Sequence, residues 1–176
     1  YALQLVHTDL TGPFEVEGHG GFFYAQIFVD DNTRRKFPYF LRTKNQATTM
    51  LRRFVRDVGL PVCIRLDGGG EFEGAFEEGW IDTCIELGIK LQKTDPESPE
   101  SNGVAERANR TLITIARTMM LAAAVPKELW PYAVQHAAFL DSLFVPIGKT
   151  QSPYFAWFHF KPDLSRLRVW GSRVTY

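Results

Sequence analysis

Lys36-Phe37-Pro38-Tyr39-Phe40-Leu41-Arg42 leads, through Thr43, into the run Lys44 to Val58 and then into Val62-Cys63-Ile64-Arg65-Leu66-Asp67. The hydrophobic period changes twice within this stretch. Its two ends are short, apolar and rich in aromatic or β-branched residues, as strands are. Between them Ala47, Met50, Leu51, Phe54, Val55 and Val58 recur at spacings of three and four, the stripe of an amphipathic helix. Gly59 and Pro61 stop that helix. Strand, helix and strand in so short a span predict an α/β domain.

Upstream, Leu3, Leu5 and His7 alternate with Gln4, Val6 and Thr8. This reads as a strand from Tyr1 onward that ends at the carboxylate of Asp9, with Gly12-Pro13 as the breaker. Phe22 to Val29 is a second strand, and Asp30-Asp31-Asn32 is a turn cluster. Gly18 to Arg42 therefore forms an antiparallel meander. Downstream, Gly68-Gly69-Gly70 precedes a helix from Glu73 to Leu87, stopped by Gly88. Ile89 to Gln92 is a fifth strand and Asp95 to Asn102 a polar loop. Long helices are expected over Gly103 to Ala124 and Pro126 to Phe144, with Pro126 near the first turn of the latter. Strands first, then strands alternating with helices, make a mixed five-stranded sheet flanked by helices. One domain is expected over residues 1–144, and an irregular, aromatic-rich segment over residues 145–176.

The length of 176 residues fits one domain, at about 150 residues per domain. Fourteen Phe and four Trp need a core, which excludes disorder. Trp80, Trp130, Trp157 and Trp170 are read as core residues. No uncharged apolar run reaches 18 residues, so no helical membrane span and no membrane partner are expected. Cys63 and Cys84 cannot form a disulfide framework or a four-ligand zinc site alone, and read as buried small hydrophobes. There is no initiator Met or signal segment, and the chain reads as a piece of something longer.

Twenty basic and twenty acidic residues give a net charge of zero, which counts against strong non-specific nucleic-acid binding. The distribution is uneven. Arg34 to Arg56 contains eight bases and no acid, whereas Glu71 to Glu100 contains nine acids against Lys90 and Lys93. One region can face phosphates; the other repels them.

Asp9 and Asp67 are expected at strand ends, where ligands gather in sheets of this kind. Glu106 lies in the first turn of the Gly103 helix, whose dipole favours negative charge. Three converging carboxylates repel one another unless a cation sits between them. Oxygen donors without His or Cys select Mg²⁺, with Mn²⁺ as a substitute. Two such ions, about 3.5–4 Å apart, stabilise the attacking and leaving oxygens of phosphoryl transfer. Turn formation and helix capping are the alternative explanation of these acids.

The surrounding words carry more information. His7-Thr8-Asp9-Leu10-Thr11-Gly12-Pro13 resembles the opening of retroelement integrase catalytic cores. Arg65-Leu66-Asp67-Gly68-Gly69-Gly70-Glu71-Phe72 resembles their second motif. Ser98-Pro99-Glu100-Ser101-Asn102-Gly103-Val104-Ala105-Glu106-Arg107-Ala108-Asn109-Arg110-Thr111-Leu112 resembles the third. Leu129-Trp130, Ser152-Pro153-Tyr154 and Leu167-Arg168-Val169-Trp170-Gly171 are similar to the downstream signature of the copia-type LTR retrotransposon group. The resemblance spans nearly the whole chain, in the family's order.

It implies an RNase H-like fold and the Asp, Asp, Glu triad at Asp9, Asp67 and Glu106, with 38 residues between the last two. It further implies a Mg²⁺-dependent DNA polynucleotidyl transferase. Such enzymes trim the 3′ ends of element DNA, then use the 3′-hydroxyl to attack target DNA. The implied partners are element-end DNA, target DNA and further copies of the chain. Nuclear action follows from the substrate, after a cytoplasmic particle stage. The family's amino-terminal His/Cys zinc module and basic carboxy-terminal region are not in this chain.

Around the triad, Arg110 lies four residues after Glu106 and either pairs with it or contacts phosphate. Arg107 contacts DNA or an acid on the next helix. Asn102 and Gly103 shape the loop entering the helix, and capping alone would explain Asn102. Lys93 and Lys44 are weaker DNA-contact candidates, solvated lysine being the default. His7 reads as a locally bonded strand residue rather than a general base, Asp30 and Asp31 as turn formers, and Glu71 as part of a helix entry.

Three departures bear on activity. Gly68 stands where the family commonly has Asn, and three glycines raise the cost of ordering that loop. Glu97 and Glu100 add negative charge where neutral residues are frequent. Ser172 replaces a usual Cys, harmlessly. These departures keep open an inactive, integrase-like remnant acting as a DNA-binding or assembly module. An RNase H cutting RNA–DNA hybrids is a third alternative, against which the Asn102 to Leu112 motif argues.

Overall fold

A computed structural model of the chain describes residues 1–66, 75–93, 103–165 and 167–172. Five strands form one sheet: β1 (Val6–Thr11), β2 (Tyr24–Asp30), β3 (Lys36–Leu41), β4 (Cys63–Leu66) and β5 (Lys90–Lys93), in the order β3-β2-β1-β4-β5. β1, β2 and β3 pair antiparallel, and β4 joins β1, and β5 joins β4, in parallel. The helices are α1 (Ala47–Asp57), α2 (Ala75–Leu87), α3 (Gly103–Ala123), α4 (Trp130–Leu143) and α5 (Pro153–Phe158). Short 3₁₀ turns, Lys44–Gln46 and Lys127–Leu129, lead into α1 and α4. Parallel neighbours need a long crossover, and α1 and α2 supply it.

Both faces of the sheet are covered, and the alternation within β2 shows how. Phe28 points to one side, where Val6, Leu10, Leu41, Ile64 and Leu66 meet Met50, Leu51 and Phe54 of α1 and Trp80 and Cys84 of α2. Ala25, Ile27 and Val29 point to the other, against Ala108, Leu112 and Ala116 of α3 and Trp130, Ala133, Val134 and Ala137 of α4. Phe28 and Phe54 stack at 4.5 Å between centroids. Each such fully buried ring contributes about 1.5–3 kcal/mol. The alanines let α3 and α4 lie close to the strands.

Two expectations need correction. The first strand starts at Val6, not near Tyr1, and Asp9 lies inside it, opposite Ile27, rather than at its end. Leu3 breaks the extended run with φ of 62°. It is held there because its N–H donates to Asp30 Oδ1 (2.6 Å) while its carbonyl accepts from the Val62 N–H (2.8 Å). The strand continues to Thr11 and stops at Gly12, where φ is 126° and an added Cβ would lie 2.6 Å from the Phe23 carbonyl oxygen.

The tail after Val145 contains α5, which the irregular pattern hid. Ser152 Oγ accepts from the Phe155 N–H (3.3 Å), and Pro153 occupies the first turn. α5 packs against α4 and closes rings around Arg35, with Phe37 and Trp157 at 5.1 Å. The Arg35 guanidinium lies 4.4 Å from the Phe158 ring centroid, 5.4 Å from Phe37 and 5.7 Å from Trp157. Trp80 and Trp130 are buried core residues; Trp157 and Trp170 are half-buried, Trp170 against the α3–α4 side. No described helix is long and apolar enough to cross a membrane.

Candidate active site

β1 is the central strand, and its alternation fixes where Asp9 points. Val6 and Leu10 enter the core under α1 and α2. His7 and Asp9 therefore face the side on which α3 crosses the sheet. α3 reaches Asp9 through Asn109, whose Nδ2 donates to Asp9 Oδ2 at 2.6 Å. Asn109 is 6% exposed and Asp9 is half-buried, so the amide end of this charge-assisted bond is shielded from water. Its Oδ1 is buried without a partner among the described residues. Glu106 stands one turn earlier on α3, exposed, three residues from Asn109. At about 100° per residue it lies about 60° around the helix from Asn109. α3 thus brings the turn bearing Glu106 against the strand bearing Asp9.

β4 ends at Leu66, which sits beside Thr8 in the parallel register. Asp67, Gly68, Glu71, Glu97, Glu100 and Asn102 lie outside the described residues. Lys93 is the last residue of β5. Among the described residues, which do not include Asp67, no group of three His, Cys, Asp or Glu side chains comes together.

Arg107 and Arg110 are exposed on α3, and no ion pair joins either to Glu106 among the described residues. Arg107 folds back over the start of the helix. A Cβ at Gly103 would lie 2.5 Å from Arg107 Nη1, so the glycine makes room for the guanidinium.

His7 is not a free base. It is 1% exposed, and its Nε2 lies 3.0 Å from Asp31 Oδ1. Burial holds its pKa below the usual histidine range, against the raising influence of Asp31. Asp30 caps its own turn, accepting from the Thr33 N–H (2.8 Å) and Oγ1 (2.6 Å), and Asp31 also pairs with Arg34 at 3.2 Å. Burial raises both thiols, Cys84 to about 11, so neither is a thiolate at neutral pH. What remains near α3 is carboxylate oxygen. With the imidazole committed and the thiols protonated, that donor chemistry fits a hard divalent cation and no soft one.

Asn109 was not legible as a site residue. It belongs to the third motif, but only the crossing of α3 over β1 shows that it touches Asp9.

No family model matches the chain. It is 38% identical over 180 residues to the "Retrovirus-related Pol polyprotein from transposon TNT 1-94" of Nicotiana tabacum, a match covering 98% of this chain and 13% of that protein. It is 30% identical over 178 residues to the "Retrovirus-related Pol polyprotein from transposon RE1" of Arabidopsis thaliana, covering 96% and 12%. The chain thus spans a small part of these polyproteins. Among solved structures, the HTLV-2 integrase catalytic core domain in complex with magnesium aligns with a TM-score of 0.64 at 16% identity, covering 88% of this chain and 95% of that one. The catalytic core domain of BIV integrase aligns at 0.65 and 19%, covering 89% and 94%. A chain of the simian T-cell lymphotropic virus intasome, in complex with a PP2A regulatory subunit, aligns at 0.70 and 19%, covering 94% and 57%. By sequence this chain is homologous to one segment of the retrovirus-related Pol polyproteins of plant transposons, and its mixed five-stranded sheet with helices is the RNase H-like fold of retroviral integrase catalytic cores.

Proposed function

We propose that the chain is the integrase catalytic core of a retrotransposon polyprotein and catalyses 3′-end processing of element DNA and its joining to target DNA. The observation that carries this reading is the bond from Asn109 to Asp9, which ties the helix turn of Glu106 to the central strand. The homology to transposon polyproteins and the integrase-core fold support it.

In this reading Asp9, Asp67 and Glu106 hold two Mg²⁺ ions, for which Mn²⁺ can substitute. When bound, the cations supply charge neutralisation at phosphorus and Lewis acidity toward the attacking hydroxyl. The magnesium present with the HTLV-2 core is in keeping with this. The protein contributes geometry. Asn109 fixes one oxygen of Asp9, and the rigid strand fixes its Cα. Arg110 and Arg107, unpaired with Glu106, contact phosphates of the bound DNA, and Asn102 and Lys93 add contacts at the loop and strand end. In joining, a 3′-hydroxyl oxygen bonds to phosphorus in the target strand while that phosphorus's bond to the target strand's own 3′-oxygen breaks; the hydroxyl proton passes to solvent and the departing oxygen takes one up from solvent. No covalent enzyme intermediate is required. The functional complex contains several copies of the chain on DNA; the dimeric and trimeric forms of the HTLV-2 core support an assembly of several copies. Its place of action is the nucleus.

The test is Mg²⁺- or Mn²⁺-dependent disintegration of a branched DNA substrate, which asks only for phosphoryl transfer by the core. Activity lost in both Asp67→Asn and Glu106→Gln is the expected result. Unchanged activity in Glu106→Gln overturns the assignment. Silence that persists in a Gly68→Asn variant and in the longer polyprotein segment favours the inactive remnant.

A further inference from the structure

The sheet face that carries Asp9 is covered unevenly. α3 packs over β1 and β2, and α4 over β3. On β4 and β5 the apolar side chains Ile64, Leu66, Ile89 and Leu91 turn to the opposite face, into or against the core under α1 and α2. Alternation leaves Arg65, Lys90 and Gln92 on the side of Asp9. Lys90 and Gln92 are exposed and Arg65 is half-buried. Arg65 stands beside His7 in the parallel register with β1, two residues short of Asp67, and opposite Gln92 on β5.

Arg65 differs from those cations of the fold that pair with acids. Arg34 pairs with Asp31, Lys36 with Asp141, Arg52 with Glu86, and Arg53 and Arg56 with Asp57. Arg65 has no carboxylate partner among the described residues; its Nη2 donates to the neutral Gln92 Oε1 at 2.9 Å. A carboxylate would cancel the charge. An amide oxygen takes one of five N–H groups and fixes the plane of the guanidinium, leaving full charge and its other donors. His7 does not compete, since Asp31 engages its Nε2. Lys90, opposite Cys63, adds a second charge about 7 Å along the strand direction from the Arg65 row, at about 3.3 Å per residue. Both side chains lie on one side of the strand pair, so their positive charges add there.

We propose that Arg65 and Lys90 form a second phosphate-binding strip, on the Asp9 side of β4 and β5, that grips the backbone of the DNA strand passing the carboxylates. The arginine, planar and pre-set by Gln92, takes a phosphate through two donors, and the lysine takes a neighbouring one as a point charge. The strip lies on the opposite side of Asp9 from β2, so a strand held there and by Arg110 on α3 spans the site. This inference rests on the reading that the site handles DNA.

The experiment is binding of a fluorescent branched DNA to the full chain, by anisotropy, across a KCl series. Each of Arg65→Gln and Lys90→Gln should weaken binding several-fold and lower the slope of log K against log salt by about 0.9, and the double variant by about twice that. Arg65→Lys, which keeps the charge, should retain the slope; an arginine needed only for folding would show no such rescue. Lys161→Gln, an exposed change in the tail, should leave the slope unaltered. A double variant with wild-type affinity and slope overturns the proposal. If that variant binds as wild type while Glu106→Gln abolishes disintegration, this inference falls and the catalytic reading stands. If the wild-type chain shows no salt-dependent DNA binding, both fall.

Discussion

Replacing Asn109 with leucine should separate catalysis from stability. The Asn109 amide donates to Asp9 at 2.6 Å, and a hydrogen bond to an ionised group contributes about 1.5–3 kcal/mol. The same substitution removes Asn109 Oδ1, which is buried with no partner among the described residues and costs about 1–3 kcal/mol. The two effects offset, and leucine fills nearly the same volume beside Ala105, Ala108 and Leu112. Urea unfolding of Asn109→Leu should therefore move by no more than about 1 kcal/mol. Activity has no such offset. A side chain that orients a metal-binding carboxylate is worth about 10–100-fold in metal affinity or rate. Disintegration should fall by that factor, with half-saturation shifted to higher Mg²⁺. Wild-type rate and Mg²⁺ dependence in a folded Asn109→Leu chain would refute the role assigned to this bond. A loss of more than about 3 kcal/mol of stability would show that the bond serves folding instead.

Other outcomes follow from the packing. Arg35→Ala empties the ring cage that joins β3 to α5, where the guanidinium has no acidic partner among the described residues; at about 0.5–1 kcal/mol per cation–π contact, stability should drop by about 1–3 kcal/mol and protease should cut within residues 145–172 first. Trp130→Ala removes a side chain whose ring lies tilted against Phe14, centroids 4.2 Å apart, and donates to the Val16 carbonyl at 3.0 Å; a loss of about 3–5 kcal/mol in urea unfolding is expected. His7 and His136 are both held by burial below the usual value of 6.5. The unfolded chain then binds more protons, so stability is complete above about pH 6.5 and is lost as pH falls toward the folded values. Unfolding midpoints at pH 7.5 and 5.5 should differ in that direction, and His136→Gln should shrink the difference.

Residues that repeat with a clear period were readable, and residues placed by long-range contact were not. The stripe from Ala47 to Val58 announced α1, and the apolar run from Phe22 to Val29 announced β2. Asp9 was correctly placed on the first strand, but its position within that strand was missed. The bend at Leu3 is imposed by Asp30 and Val62, residues 27 and 59 positions away, and no local pattern encodes it. α5 has only six residues, too few to show a helical stripe, although Ser152-Pro153 is a readable cap. Asn109 looked like one polar position among many on α3; its meaning lies in the crossing of that helix over β1. Arg65 belongs to the second motif, and only the sheet register shows that it shares a face with Asp9.

Zero net charge counts against strong nucleic-acid binding, but the ion pairs leave the positive charge unevenly distributed. Arg34, Lys36, Arg52, Arg53 and Arg56, most of the basic run that stands out in the sequence, pair with four acids of α1, α2, α4 and the β2–β3 turn, Arg53 and Arg56 sharing Asp57. That run therefore serves the fold. Arg65, Lys90, Arg107 and Arg110 have no acidic partner among the described residues, and they sit on the strand pair and the helix that flank Asp9. Pairing cancels charge where the fold needs cohesion and leaves it where phosphates would approach. A screen of surface variants by salt-dependent DNA binding should accordingly divide the cations by partner rather than by sequence cluster. Arg52→Gln, which frees Glu86, should leave the salt slope nearly unchanged, whereas Arg110→Gln should lower it by about one. Equal slopes for the two variants would mean that the field of the whole molecule, not the disposition of unpaired cations, governs its contact with DNA.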